Sequence, residues 1–177
     1  MKCKEAESFL TKHRRTVEHK QTQTILSADD DDNDVLLLKM AFAKAGLAEQ
    51  LRRVKDGAEA IQYLNGDGIY ADRESFPFPS LLLLDLKMPY KNGFEVLTWI
   101  RKQPGIRGLP VIVLTSSEEL RDVNQAYALG ANSFLVKPLD FENSLALIRM
   151  VEKYWIRSCK LPETSRPKLK PSSDNRS

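Results

Sequence analysis

Five polar side chains stand where apolar runs of this chain stop. Asp85 follows Leu81-Leu82-Leu83-Leu84, Asp29 and Asp30 follow Thr24–Ala28, Thr115 follows Val111-Ile112-Val113-Leu114, and Lys137 follows Phe134-Leu135-Val136. Carboxylates crowded together repel and raise one another's pKa. A hard divalent cation removes that conflict, and Mg²⁺ suits it because it takes few carboxylates and keeps several waters. A hydroxyl and an ammonium beside them would suit a tetrahedral dianion attached to Asp85. Each piece has a plainer explanation. An Asp opens turns, an acidic run caps a helix, and a lone Thr or Lys at a strand end faces solvent. The run Asp29-Asp30-Asp31-Asp32 is longer than a cap needs, and the joint arrival of all these groups favours a metal and phosphoryl site.

The elements that must bring them together are legible in the periodicity. Four leucines in succession read as a strand buried on both faces, as in a parallel sheet. Strand candidates are Thr24–Ala28, Gln50–Val54, Ser80–Asp85, Val111–Thr115 and Ser133–Lys137, the second being polar enough for an edge. Helical spacing recurs at Val35, Leu38, Phe42 and Ala45; over Ala58–Leu64; at Phe94, Leu97 and Ile100; at Val123, Ala126 and Leu129; and at Phe141, Leu145, Ile148 and Val151, running towards Trp155. Gly46 and Gly130 supply helix stops. Five alternations predict an α/β fold, a doubly wound parallel sheet with helices on both faces. In such sheets the first and third strands meet at the switch point, and chemistry lies outside their carboxyl ends. The connection Asn65–Ser80 is long, and its Ile69, Tyr70, Phe76 and Phe78 predict a loop packed onto the domain.

Composition narrows the class. The chain is 42% hydrophobic and 29% charged, with a net charge of +3. Residues 1–22 hold six Lys/Arg against three acids and residues 158–177 five against two, so residues 23–157 are net acidic. The expected organisation is a flexible basic extension (1–22), one domain (23–157) and a disordered basic tail (158–177). Basic ends can hold nucleic acid or membrane loosely, but solubilising ends are the simpler reading. No apolar run approaches the roughly 20 residues that span a bilayer, and the N-terminus lacks a signal-like apolar stretch. Cys3 and Cys159 offer no disulfide framework, which fits a cytoplasmic setting.

Asp29-Asp30, Asp85, Thr115 and Lys137-Pro138, at these four strand ends, resemble the receiver domain of two-component response regulators over roughly residues 23–157. The resemblance implies a flavodoxin-like strand order 2-1-3-4-5. It implies Asp85 as phospho-acceptor, with Mg²⁺ held by Asp29, Asp30, Asp85 and the backbone carbonyl of Lys87. Thr115 would be the switch hydroxyl, Phe134 the switch aromatic, and Lys137 the partner of the phosphoryl group, with Lys137–Pro138 cis. Tyr70-Ala71-Asp72-Arg73, the helix Leu97-Thr98-Trp99-Ile100-Arg101 and Tyr154-Trp155 are similar to the small regulators paired with cyanobacterial phytochromes. The loop departs from that subgroup in being more acidic, and Ser27 departs in placing a hydroxyl in an apolar strand.

The implied function is acceptance of a phosphoryl group on Asp85 from a sensor histidine kinase of the phytochrome type. No output domain is evident after Ser158, so output would pass to a downstream protein target, through a monomer or a homodimer. Tyr127, Phe134, Tyr154 and Trp155 are candidates for that contact. Turnover of a separate substrate is not expected. An Asp-nucleophile phosphatase would want a second Asp two residues after the first, where this chain has Lys87. A pseudo-receiver acting without phosphorylation is the alternative, and the presence of every expected group argues against it.

Overall fold

Strand and helix alternate in space as they do in sequence. In the computed structural model, which describes residues 23–161, five parallel strands lie in the order β2-β1-β3-β4-β5. They are β1 (Ile25–Ala28), β2 (Leu51–Val54), β3 (Leu81–Leu84), β4 (Val111–Thr115) and β5 (Ser133–Val136). The helices are α1 (Asp32–Lys44), α2 (Gly57–Asn65), α3 (Gly93–Lys102), α4 (Leu120–Ala128) and α5 (Phe141–Val151). The predicted strand order holds, and the polar second strand is at an edge. The expectations for residues 1–22 and for the tail beyond 161 lie outside the described residues.

The sheet divides its side chains by alternation, the period-2 consequence of the pleat. Leu26, Leu82, Leu84 and Val111 pack with α2 and α3, whereas Ile25, Leu81, Leu83, Ile112 and Leu114 pack with α1 and α5. A smaller cluster of Leu86, Val113 and Ala126, with Phe94 and Phe134 against it, joins α4. All four leucines of β3 are therefore buried, each contributing roughly 1.5–3 kcal/mol. Sliding β3 by one residue would draw the Asp85 carboxylate into this apolar layer. Leucine run and carboxylate together fix where the strand stops.

Caps and close approaches set the loops above the sheet. Asn92 and Glu95 form a reciprocal capping box at the start of α3. Gly93 lies so close to the end of β3 that a Cβ there would sit 2.2 Å from the Asp85 carbonyl oxygen. Gly57 is similarly tight, its Cβ position 2.2 Å from the Lys91 carbonyl oxygen. The connection from β3 to α3 turns sharply. Tyr90 has φ +60°, and the Lys91 N–H donates to the Pro89 carbonyl at 2.7 Å.

The long connection is packed, as its aromatics predict. It contains a 3₁₀ turn (Gly68–Ala71), and Tyr63, Tyr70 and Phe76 stack with ring centroids 4.9–6.2 Å apart. Tyr63 donates to the Pro77 carbonyl, Tyr70 to the Glu59 carboxylate, and Arg73 to the Tyr63 and Leu64 carbonyls.

One expectation needs correction. No cis peptide occurs among the described residues, so Lys137–Pro138 is trans, the isomer that X-Pro bonds generally favour. The last helix runs on past Trp155, with a change of winding. After Val151 the chain widens into a π-helical turn, Glu152–Ser158, where Cys159 N–H bonds the Tyr154 carbonyl five residues back.

Candidate functional site

Strand register builds the site. Ala28 pairs with Leu84, so one further residue on each strand sets Asp29 beside Asp85. The ladder reaches these residues: Asp29 N–H donates to the Val54 carbonyl and Asp85 N–H to the Ala28 carbonyl. On the other side Thr115 pairs with Val136, and Lys137 follows at once. Both acids are buried, with 3% and 5% of their surface exposed, and Lys137 is 8% exposed. Asp30 is exposed, yet one carboxylate oxygen from each of Asp29, Asp30 and Asp85 lies within 4.8 Å of the others.

The Lys137 ammonium holds this cluster. Its Nζ lies 2.7 Å from Asp85 Oδ2, 2.9 Å from Asp29 Oδ2 and 2.9 Å from Asp34 Oδ2. An ammonium has three N–H donors, one for each of these acids. Burial works against its charge, but hydrogen bonds to Asp85 and Asp34 and the charges of Asp29 and Asp85 outweigh it and raise the pKa. Asp29 is left short of compensation. Burial, with a smaller push from Asp85, lifts its carboxyl to about 6 despite Lys137. A second cation would relieve that deficit. Three hard oxygen donors at this spacing fit a divalent metal ion.

The acidic run divides its labour. Asp31 caps α1, accepting N–H bonds from Asn33 and Asp34, and these bonds hold its carboxyl below the usual range. Asp31 N–H in turn donates to Asp29 Oδ1 at 3.1 Å, pinning that side chain. Asp32 pairs with Arg53 at 2.6 Å. Asp29 and Asp30 remain for the cluster. The capping explanation therefore accounts for one acid of the four.

The other predicted residues lie around this centre. Thr115 is wholly buried at the end of β4, its hydroxyl accepting the Ser117 N–H at 3.4 Å. Ser117 is held by Asp122, to which its hydroxyl donates at 2.6 Å. Phe134 is half-buried against Leu86, Val113 and Ala126, and its N–H donates to the Tyr127 hydroxyl. Lys87 N–H donates to Asp85 Oδ1 at 3.3 Å, drawing the Lys87 peptide against the carboxylate. Of the contact candidates, Tyr127 and Tyr154 are exposed, while Trp155 packs partly into the α1–α5 core.

Two participants escaped the sequence reading. Asp34 joins the lysine from the first turn of α1, a position that only the helix's placement reveals. Arg53 grips the acidic loop from β2, and the available signal was a basic residue in a strand, paired in register with Ser27.

A buried carboxylate flanked by an ammonium, two further acids and a threonine, at the carboxyl edge of a 2-1-3-4-5 sheet, is the arrangement of a response regulator receiver. Residues 25–149 match the response regulator receiver domain model, and the chain belongs to that family. It is similar to the response regulator Rcp1 of Synechocystis, with 32% identity over 140 residues, 79% of this chain and 93% of that protein. The Mn²⁺-bound structure of Rcp1 aligns with a TM-score of 0.70, covering 79% of this chain and 99% of that one. RPA3017, a response regulator in red light signaling of R. palustris, aligns at 0.76 with 37% identity, covering 80% and 99%. The phosphorylated cyanobacterial phytochrome response regulator RcpA aligns at 0.73 with 31% identity, covering 79% and 98%. No helix among the described residues is long and apolar enough to cross a membrane.

Proposed function

We propose that this response regulator accepts a phosphoryl group on Asp85 from a phytochrome-type sensor histidine kinase. The observation that carries the assignment is the buried Lys137 ammonium, bonded to Asp85 Oδ2 at 2.7 Å beside the carboxylates of Asp29 and Asp30. In the transfer, an Asp85 oxygen forms the new bond to phosphorus as the bond to the donor imidazole nitrogen breaks. Lys137 faces the charge carried by the transferred oxygens, and a group held this close needs little reorganisation. Asp29, Asp30, Asp85 and the Lys87 carbonyl would hold Mg²⁺, which when bound supplies positive charge to those same oxygens. The Mn²⁺ in Rcp1 and the acidic set of this chain support a divalent ion at this place.

Phosphorylation adds close to two negative charges. Thr115 then gives up the Ser117 N–H and turns its hydroxyl towards them, and Phe134 moves into the space released. Output is a contact with a downstream protein target, made by a monomer or a homodimer in the cytoplasm. No separate substrate is turned over, because Lys87 stands where an Asp-based phosphatase needs its acid. The similarity to RcpA, Rcp1 and RPA3017 supports the phytochrome pairing.

Intact mass spectrometry after incubation with Mg²⁺ and acetyl phosphate tests the assignment. One phosphoryl adduct is expected on the wild type and none on Asp85→Asn. An adduct that survives Asp85→Asn would place the acceptor elsewhere. No adduct from either acetyl phosphate or a phosphorylated phytochrome kinase would leave the phosphorylation-independent module as the better reading.

A further inference from the structure

Arg53 stands beside the acidic loop, and besides one ion pair its contacts there are with the backbone that carries the proposed metal ligands. Its Nε donates to the Asp29 carbonyl at 3.1 Å and one terminal nitrogen to the Asp30 carbonyl at 3.3 Å. The other terminal nitrogen meets the Asp32 carboxylate at 2.6 Å. The side chain is 15% exposed, so the fork is held rather than waving in solvent. The β1–β2 ladder ends at Asp29, whose N–H still reaches Val54. Past that point the guanidinium donates to the Asp29 and Asp30 carbonyls in place of a neighbouring strand.

We infer that Arg53 is a positioning residue for the cation: it presets the peptides of Asp29 and Asp30 so that their side chains converge on Asp85. This rests on the metal reading given above. Two effects of Arg53 oppose each other. A positive charge near a cation site weakens binding, and a rigid fork strengthens it by removing the cost of ordering the loop. Asp32, at 2.6 Å, offsets the charge. The fork is left as the larger effect. Lysine cannot reproduce it, because an ammonium on a flexible stem lacks the planar donor array. The same pairing explains why the loop bears an acid beyond those the cap and the cluster use.

Calorimetric titration of the full chain with MgCl₂ tests the inference, with circular dichroism and urea melts to confirm folding. Arg53→Gln is expected to weaken the Mg²⁺ Kd about tenfold, the scale for losing a group that orients a ligand. Arg53→Lys should recover only part of that loss. Asp32→Asn, which keeps the grip on both carbonyls, should stay within about threefold of wild type. An Arg53→Gln protein that binds Mg²⁺ as well as or better than wild type overturns the inference. So does full recovery by Arg53→Lys, which would show that the planar donor array is not needed, or a loss in Asp32→Asn equal to that in Arg53→Gln. If the wild type takes up no Mg²⁺, the metal reading itself fails, whereas a flat series on a wild type that binds refutes the role of Arg53 alone.

Discussion

Asp29→Asn should stabilise the metal-free protein at neutral pH. The Asp29 carboxyl is pushed from 3.8 to about 6 by burial and by Asp85, with Lys137 only partly offsetting both. Below about pH 3.8 the group is neutral in both folded and unfolded chains and costs nothing. Between that pH and about 6 the unfolded chain releases the proton while the folded chain keeps it, so stability falls as pH rises. Above 6 the folded protein carries the whole penalty. At 1.36 kcal/mol per pH unit this amounts to about 3 kcal/mol, an upper bound because the site can relax. Asn resembles the neutral carboxyl, and its amide oxygen can still accept the Asp31 N–H now received at 3.1 Å. The assay is a set of urea melts from pH 4 to 8 in EDTA. The two proteins should be close at pH 4, and the variant should pull ahead by about 2 to 3 kcal/mol at pH 7, a large share of the roughly 5–15 kcal/mol that stabilises a typical domain. Adding Mg²⁺ should stabilise the wild type and close the gap, since a ligand that binds only the folded state adds stability. A variant less stable than wild type at pH 7, or a gap that does not change with pH, would refute the electrostatic account.

Two further perturbations probe how the site is held. Gly93→Ala places a Cβ 2.2 Å from the Asp85 carbonyl, a backbone contact that cannot swing aside. It should cost about 1–3 kcal/mol in urea melts and slow phosphoryl uptake from acetyl phosphate; unchanged stability would mean that α3 shifts freely. Ser117→Ala removes the buried 2.6 Å hydrogen bond to Asp122. It should cost about 1.5–3 kcal/mol, the usual range for a bond to a charged group, and a cost below about 0.5 kcal/mol would mean that Asp122 finds another donor.

The parts of the site that sit at strand ends were legible because two short-range rules coincide there. A buried strand must be apolar, and whatever polar residue ends it must emerge at the sheet's edge. Asp85, Thr115 and Lys137 could be placed from that alone, and the alternation of strands and helices made their common edge predictable. The run of leucines also stated in advance that β3 is central. The polar Leu51-Arg52-Arg53-Val54 stated that β2 is not. Strand ends were less sharp: Asp85 and Lys137 fall just beyond β3 and β5.

What sequence spacing could not assign was the division of roles within the acidic run. Four adjacent aspartates look alike on paper, and each has the same intrinsic capacity to cap, to pair or to bind a cation. Their separation comes from direction. The chain turns at Asp31 into α1, which sends that side chain to the helix N-terminus, Asp32 outward to Arg53, and Asp34 back across to Lys137, 103 residues away. A pair so distant in sequence leaves no local periodicity, and Arg53 grips backbone carbonyls that carry no residue identity at all. Sequence by itself determined the sheet, its burial and the set of groups at its edge, because hydrophobic patterning acts residue by residue. Tertiary structure decided which acid meets the lysine and which the arginine, because that depends on where helices and edge strand lie once the core has closed.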